Sequence, residues 1–265
     1  MKSQEEKKIK VGFSQIYVAF KDPSKNINKI ENILERTNAD MLVFPELALS
    51  GYEIENKKEL KKYSHAADEE IFKGIIRISR EKSMAVVFGF AEKEKSKIYN
   101  SSMLIDEKGK RYIYRKSHLF FREKILFDRG ETGFFISKVK GAKVGMMICF
   151  DWFFPEAMRT LALAGAEIIA HPSNLVMPYC QFAMKTRCLE NRVFAITSNR
   201  VGVEKKTKFT GKSQITGTKG EILAKADEGK ERIRIVEINP YDAKNKKINK
   251  MNNIFDDRRK ELYVL

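Results

Sequence analysis

Residues 143–174, KVGMMICFDWFFPEAMRTLALAGAEIIAHPSN, decide the fold because their pattern changes from strand to helix and back to strand. The apolar segment 143–150 is strand-like, Pro155 begins a helix that runs through Gly165, and 166–173 is a second apolar strand. This alternation predicts a βαβ unit.

The same alternation extends in both directions from this segment. Downstream, residues 179–192 have a helical pattern and 193–202 return to a strand. Upstream, an N-terminal βαβ-rich half is followed by consecutive strands. We therefore expect an α/β fold in which two packed sheets lie between helices, a four-layer α-β-β-α sandwich. The upstream elements are strands at 9–16, 41–46, 84–93, 99–106 and 109–116, a helix from Asp22 through Arg36 and a charged helix from Asp68 to Lys82.

The composition indicates one globular domain spanning residues 1–265. Hydrophobic residues make up 43% of the chain, which is ample for a core, and no apolar run approaches the length of a membrane span. The N-terminus has charge without an apolar segment behind it, so no secretory signal is expected, and we predict a cytoplasmic protein. Three cysteines and three histidines without ligand spacing predict neither a disulfide scaffold nor a metal site.

The net charge of +16 raises the alternative of a non-catalytic module that binds an acidic partner such as nucleic acid. Against it, the basic residues are spread along the chain among 35 acidic ones, without an RNA-binding segment, a phosphate loop or a zinc knuckle. A solvated lysine-rich surface is the simpler explanation of the charge.

Cys149 is the most informative single residue, because it lies where the apolar strand ends and a helix is about to begin. Free backbone N–H groups at such an elbow can lower the pKa of a thiol and bind a developing oxyanion. A buried structural cysteine is the alternative at this position.

Two further side chains follow strand ends. Glu46, in FPELALSGY (44–52), leaves the carboxyl end of a buried strand, where a carboxylate could serve as a base. Lys116, in YRKSHLFF (114–121), ends a later strand, and a desolvated ammonium there could stabilise an oxyanion. Either residue taken alone could equally be an ordinary surface charge.

Together these segments resemble the nitrilase, or carbon–nitrogen hydrolase, superfamily. The resemblance covers nearly the whole chain and includes five motifs in the family's order. It implies Glu46 as general base, Lys116 as stabiliser of the intermediate and Cys149 as nucleophile, with no cofactor. The motifs are FPELALSGY (44–52), YRKSHLF (114–120), the segment 145–174 around Cys149, RCLENRVFAITSNRVG (187–202) and KSQITGTKGEIL (212–223).

The resemblance also implies supporting residues. Glu123 would correspond to a second glutamate that orients the lysine and the substrate, and the N–H of Phe150 would share the oxyanion with Lys116. We expect Tyr52, Trp152 and Asn174 near the substrate, since each lies just past a strand end that should converge on Cys149; packing roles are equally compatible with their positions.

The reaction is open among amide, nitrile and N-carbamoyl hydrolysis. Nitrile-cleaving relatives typically place Trp-Glu after the cysteine, whereas this chain has Phe150-Asp151, which favours a small amide. Carbamoylases acting on amino acids place arginines shortly after the nucleophile, and here none precedes Arg159. Arg122 or Arg187 could supply such a cation from elsewhere.

The family assembles into dimers through the helices after the cysteine and around ENR, often with a C-terminal tail that crosses to the partner. The tail at 240–265 is polar and basic with few apolar anchors. By this likeness we expect a homodimer or higher homo-oligomer in which the tail packs on a partner subunit.

Overall fold

The computed structural model describes residues 8–263, and within that range most strands form two mixed six-stranded sheets. The strands are β1 (Ile9–Gln15), β2 (Met41–Val43), β3 (Ala85–Glu94), β4 (Lys97–Ile105), β5 (Arg111–Arg115), β6 (Ile136–Val139), β7 (Ala142–Met146), β8 (Ile168–Ser173), β9 (Phe194–Asn199), β10 (Val203–Glu204), β11 (Thr207–Lys208), β12 (Gln214–Thr216), β13 (Ile222–Lys225) and β14 (Arg232–Ile238). The first sheet has the order β14-β1-β2-β3-β4-β5, the second has β13-β12-β9-β8-β7-β6, and β10 and β11 form a small hairpin.

Six helices accompany the sheets among the described residues; all but the fourth lie in connections between parallel strands, and the fourth lies between β5 and β6. They are α1 (Pro23–Arg36), α2 (Lys57–Leu60), α3 (Lys73–Glu81), α4 (Glu123–Leu126), α5 (Pro155–Leu163) and α6 (Tyr179–Asn191), with short 3₁₀ turns at Lys61–Tyr63, Glu70–Phe72, Cys149–Phe153, Pro240–Lys244 and Lys260–Leu262. In the first sheet β1, β2 and β3 run parallel; in the second, β7, β8 and β9 do. Both predicted βαβ halves are confirmed.

Strand alternation explains the four layers. In β2, Met41 and Val43 belong to the core between the sheets, whereas Leu42 belongs to a second core beneath α1 and α3. Ile30 of α1 and Ile75 of α3 are fully buried in that second core. On the other side, α5 and α6 cover the second sheet. The predicted α-β-β-α sandwich is confirmed.

Helix α1 begins where the sequence predicts. The Asp22 side chain accepts a hydrogen bond from the Lys25 backbone N–H at 3.0 Å, and Pro23 occupies the first helical position. The charged segment predicted as one helix from Asp68 to Lys82 is shorter: a 3₁₀ turn at Glu70–Phe72 precedes α3. Neither this 3₁₀ turn nor α3 has a side-chain hydrogen bond at its N-cap.

Two features were not predicted. Strand β6 pairs antiparallel with β7 at the edge of the second sheet. Strand β14 crosses back to pair antiparallel with β1, with Ile238 opposite Ile9, so the end of the domain closes onto its first strand. Among the described residues no helix combines the length and apolar character that crossing a bilayer requires.

Candidate active site

Glu46 leaves the first sheet just after β2, and its backbone lies unusually close to β3. A Cβ atom added to Gly89 would lie 2.5 Å from the Glu46 Cα and 2.6 Å from the Leu47 nitrogen, so only glycine permits this approach. Gly89 donates to the Pro45 carbonyl at 3.0 Å, and Leu47 adopts a positive φ of 45°. The backbone around Glu46 is thus fixed by contacts with β3.

Lys116 follows β5, and its side chain is fully buried between two carboxylates. The Nζ atom donates to Glu46 Oε1 at 2.6 Å and lies 2.7 Å from Glu123 Oε2. Asn100 of β4 donates its Nδ2 to the same Glu46 oxygen at 2.7 Å and also accepts from the Lys116 N–H through its backbone carbonyl. The second Glu46 oxygen, Oε2, is buried without a hydrogen-bond partner.

Burial shifts the pKa values of Lys116 and Glu123 in this cluster, and the neighbouring charges oppose or add to that shift. For Lys116 burial alone would lower the pKa, but the carboxylates of Glu123 and Glu46 outweigh it and raise the pKa above its ordinary value. For Glu123 burial raises the pKa, with a further contribution from Glu46 and opposition from Lys116. The lysine is therefore a permanent cation at neutral pH.

Glu123 begins α4 and has further partners that fix its position. Its Oε1 accepts from the Tyr52 hydroxyl at 3.1 Å, and its Oε2 accepts from the Phe120 backbone N–H at 3.1 Å. Tyr52, which we expected near the substrate, contacts Glu123 through this hydroxyl. Burial, followed by the Glu123 charge, raises the pKa of Tyr52 well above its usual value, so the phenol stays protonated and donates.

Cys149 lies on a strained elbow, as its sequence position suggests. It has φ of 39° in the left-handed region and starts the 3₁₀ turn Cys149–Phe153. The buried His171 of β8 holds this conformation, because its Nε2 hydrogen-bonds to the Cys149 carbonyl oxygen at 2.9 Å. The ring nitrogen must be the donor, since the carbonyl can only accept.

The pKa of the Cys149 thiol is raised well above its ordinary value, opposite to the expectation from the elbow alone. Burial is the largest cause and the Glu46 carboxylate adds to it, while the Lys116 ammonium opposes both. The resting thiol is therefore neutral and has to lose its proton to a base when it reacts. A helix N-terminus contributes little, since only a single 3₁₀ turn follows directly.

One buried carboxylate connects the Cys149 elbow with the lysine segment. Asp151 Oδ2 accepts from the Ile148 N–H at 2.9 Å and from the Tyr114 hydroxyl at 2.8 Å. Its Oδ1 contacts the Nδ1 of His118 at 2.7 Å. Because Ile148 precedes Cys149, and Tyr114 and His118 flank Lys116, Asp151 links the chain segments that carry the two catalytic candidates.

Cys149 opens into a narrow pocket of about 290 Å³, including its opening to solvent. Trp152 and Asn174, both expected near the substrate, line it, and the Asn174 side chain is buried with both Nδ2 and Oδ1 lacking partners. The pocket is mostly apolar and is lined by Phe120, Cys149, Phe150, Trp152, Asn174, Leu175, Val176 and Met177.

A family model described as carbon-nitrogen hydrolase matches residues 10–247. The chain belongs to this family. A nitrilase from Pyrococcus abyssi is 43% identical over 96% of this chain and 99% of the relative. An (R)-stereoselective amidase from a Pseudomonas species is 32% identical over 81% and 79% of the two chains. The crystal structure of a carbon-nitrogen hydrolase from Helicobacter pylori superposes with a TM-score of 0.87 at 27% identity and 97% coverage of both chains.

Several residues that build the candidate active site of this carbon–nitrogen hydrolase were not singled out from the sequence. Asn100 is a polar residue inside the strand pattern YNSSMLID, and a buried strand that carries an amide is a usable signal. Asp151 and His118 sit within the recognised motifs, but their contact joins segments 33 residues apart. No sequence pattern indicates the close approach of Gly89 to Glu46.

Proposed function

We propose that this protein hydrolyses the carbon–nitrogen bond of a small, uncharged amide to the acid and ammonia through a thioester on Cys149. The observation that carries the proposal is the buried Glu46–Lys116–Glu123 cluster, whose charges act on the thiol at the base of an apolar pocket. A base, a permanent cation and a nucleophile in one water-poor site are the parts that acyl transfer needs.

In the first half-reaction the Cys149 sulfur attacks the amide carbon while its proton passes to Glu46. The unpartnered Oε2 of Glu46 is the atom free to take that proton. Lys116 and the N–H of Phe150 stabilise the negative oxygen of the tetrahedral intermediate. The carbon–nitrogen bond then breaks, and the proton on Glu46 moves to the leaving ammonia.

In the second half-reaction water attacks the thioester. Glu46, again a carboxylate, removes a proton from the water. The carbon–sulfur bond then breaks to release the acid, and the proton on Glu46 returns to the sulfur, which restores both the thiol and the carboxylate. Glu123 keeps Lys116 oriented throughout, because it binds the ammonium as Glu46 does and its own position is fixed by Tyr52 and Phe120.

The pocket supports an uncharged substrate. Its eight lining residues include neither arginine nor lysine. Arg122 donates to the Glu55 carbonyl at 2.8 Å, and Arg187 donates to the Trp152 carbonyl and to Glu190, so both arginines that could bind a substrate carboxylate have other partners. A carboxylate against Trp152 and Phe120 would lose hydration without gaining a counter-charge.

Butanamide and succinamate form a matched pair that tests this preference, because they differ in a terminal methyl group against a carboxylate. We expect kcat/KM for butanamide to exceed that for succinamate by at least about tenfold, given the cost of burying an unpaired charge. Ammonia release measures both. A tenfold preference for succinamate, or for an N-carbamoyl amino acid over butanamide, would mean that a cation other than Lys116 binds the substrate carboxylate.

Nitrile hydrolysis is the second candidate, favoured by the 43% identical relative from Pyrococcus abyssi that is called a nitrilase. The same Cys149 can attack a nitrile carbon, and Lys116 would then face the developing negative nitrogen. Including butanenitrile in the panel distinguishes amide hydrolysis from nitrile hydrolysis. If ammonia were released faster from the nitrile than from butanamide, nitrile hydrolysis would become the proposed function in place of amide hydrolysis.

Association into a homodimer stays a prediction. It is supported by large apolar side chains that remain exposed on and beside α5 and α6: Phe153, Leu163, Tyr179, Phe182 and Leu189. The tail has an anchor in its own chain, because Phe255 packs against the core between the cations of Arg159 and Lys246. Its exposed Ile248, Met251 and Leu262 are available to a partner subunit.

A further inference from the structure

We propose that the buried ion pair of Arg200 and Glu204 positions Tyr52, and through Tyr52 the Glu123–Lys116 pair, in the reaction proposed above. Neither residue touches the pocket. Their role would be to fix the hydroxyl that holds Glu123, so they are positioning residues and not catalytic ones.

The pair is enclosed in the molecule. Arg200 follows β9 and is fully buried, and Glu204 in β10 is 2% exposed. One guanidinium nitrogen of Arg200, Nη1, contacts Glu204 Oε1, and Nη2 donates to the Val18 carbonyl at 3.1 Å. The arginine thereby joins the second sheet to the segment after β1 and presents the glutamate to the loop after Glu46.

Glu204 uses its other oxygen to hold the backbone of Tyr52. Oε2 accepts from the Tyr52 N–H at 2.7 Å and from the Glu53 N–H at 3.0 Å. The loop can wrap this closely because Gly51 precedes it: Gly51 has φ of 81°, and a Cβ there would lie 2.6 Å from Glu204 Oε1. The carboxylate therefore fixes the backbone from which the Tyr52 side chain extends.

The same pair also holds the Tyr52 ring, through Phe209. The Arg200 guanidinium lies over the Phe209 ring at 4.2 Å from its centroid. The Tyr52 ring meets Phe209 edge-on, with centroids 6.1 Å apart and planes at 88°. Backbone and ring of Tyr52 are thus both set by one ion pair, which directs the hydroxyl to Glu123 Oε1 at 3.1 Å.

Stability alone does not account for an ion pair in this place. Burying two charges costs desolvation that their attraction only partly returns, and apolar residues of similar size often serve as well. An apolar residue could not accept the two N–H groups of Tyr52 and Glu53, whereas a carboxylate can do so while Arg200 balances its charge. The arrangement suits positioning, and it places no uncompensated negative charge near Glu46 and Glu123.

A double-mutant cycle of Glu204→Gln with Tyr52→Phe tests the proposal. In Glu204→Gln the amide nitrogen must face either Arg200 or the Tyr52 N–H, both donors, so one contact is lost. We expect each single variant to lower kcat about tenfold, as loss of one hydrogen bond to a charged group does. The double variant should be at most about twofold slower than the slower single variant, because both changes release the same hydroxyl.

A second readout needs no substrate. The pH dependence of Cys149 alkylation by iodoacetamide reports the charges of Glu46, Lys116 and Glu123 that act on the thiol. Both single variants should shift its midpoint in the same direction by about half a pH unit, and the double variant no further. Melting temperatures of all variants are measured in parallel, since Glu204→Gln should lower stability equally with Tyr52 or Phe at position 52.

Glu81→Gln is the matched control, because it removes the exposed Arg77–Glu81 pair of α3 and should change neither readout. If Glu204→Gln does not fold, Phe209→Leu takes its place in the cycle. Additive effects on alkylation and on rate in an active protein would overturn the proposed positioning. An inactive wild type with a non-additive alkylation cycle would instead reject the amide reaction and retain the positioning.

Discussion

Cys149→Ala is expected to lower the hydrolysis rate by at least about ten-thousandfold, the scale seen when a covalent nucleophile is removed. The physical reason is that no other described cysteine can replace it: Cys180 and Cys188 are fully buried in α6, and neither lines the pocket. Ammonia release from the substrate panel, with purified protein of unchanged melting temperature, measures the loss.

Cys180→Ala is the control for replacing a cysteine by alanine. It likewise replaces a cysteine by alanine, but in the core at α6, and it leaves the pocket residues in place. The rate should therefore stay within about threefold of wild type. Turnover by Cys149→Ala at a tenth of the wild-type rate or more would show that the reaction does not proceed through this thiol.

Lys116→Met is expected to give the second largest effect, a rate loss of at least about a hundredfold, because it removes the cation that we propose stabilises the intermediate. It also leaves Glu46 and Glu123 buried without a counter-charge, since both carboxylates contact the Lys116 ammonium. Breaking a buried pair in this way costs about 3–5 kcal/mol, so the free energy of unfolding should fall as well. Kinetics and denaturant titration measure the two effects separately.

A double variant separates stability from catalysis. Lys116→Met with Glu123→Gln removes one of the two uncompensated charges, so it should recover part of the lost stability. The rate should not recover, because the ammonium is still missing. Recovery of the rate together with stability would show that Lys116 only supports the structure and has no part in the chemistry.

The layers of the fold could be predicted from the sequence because they depend on local periodicity. Met41, Leu42 and Val43 alternate between two cores, and Asp22-Pro23 begins α1 through contacts within one turn. The pairing of β14 with β1 could not be predicted, since Ile9 and Ile238 lie at opposite ends of the domain and neither strand's pattern specifies its neighbour.

The candidate site, like the fold, could be predicted only in part from the sequence. Glu46, Lys116 and Cys149 follow strand ends and lie in motifs, so their convergence was predictable. The raised pKa of Cys149 was not, because it results from burial and from the charge of Glu46 on the other sheet, whereas the sequence shows only the elbow. The position of Tyr52 against Glu123 likewise depends on side-chain packing between distant segments.

The most direct test of the central claim is to follow iodoacetamide modification of each cysteine by peptide mass spectrometry while activity is assayed. Cys149 is 7% exposed and lines the pocket, whereas Cys180 and Cys188 are 0% exposed. The account predicts that Cys149 is alkylated first, that activity falls in proportion to that modification, and that the rate rises with pH because the thiol must ionise. Full activity with Cys149 completely alkylated would contradict it.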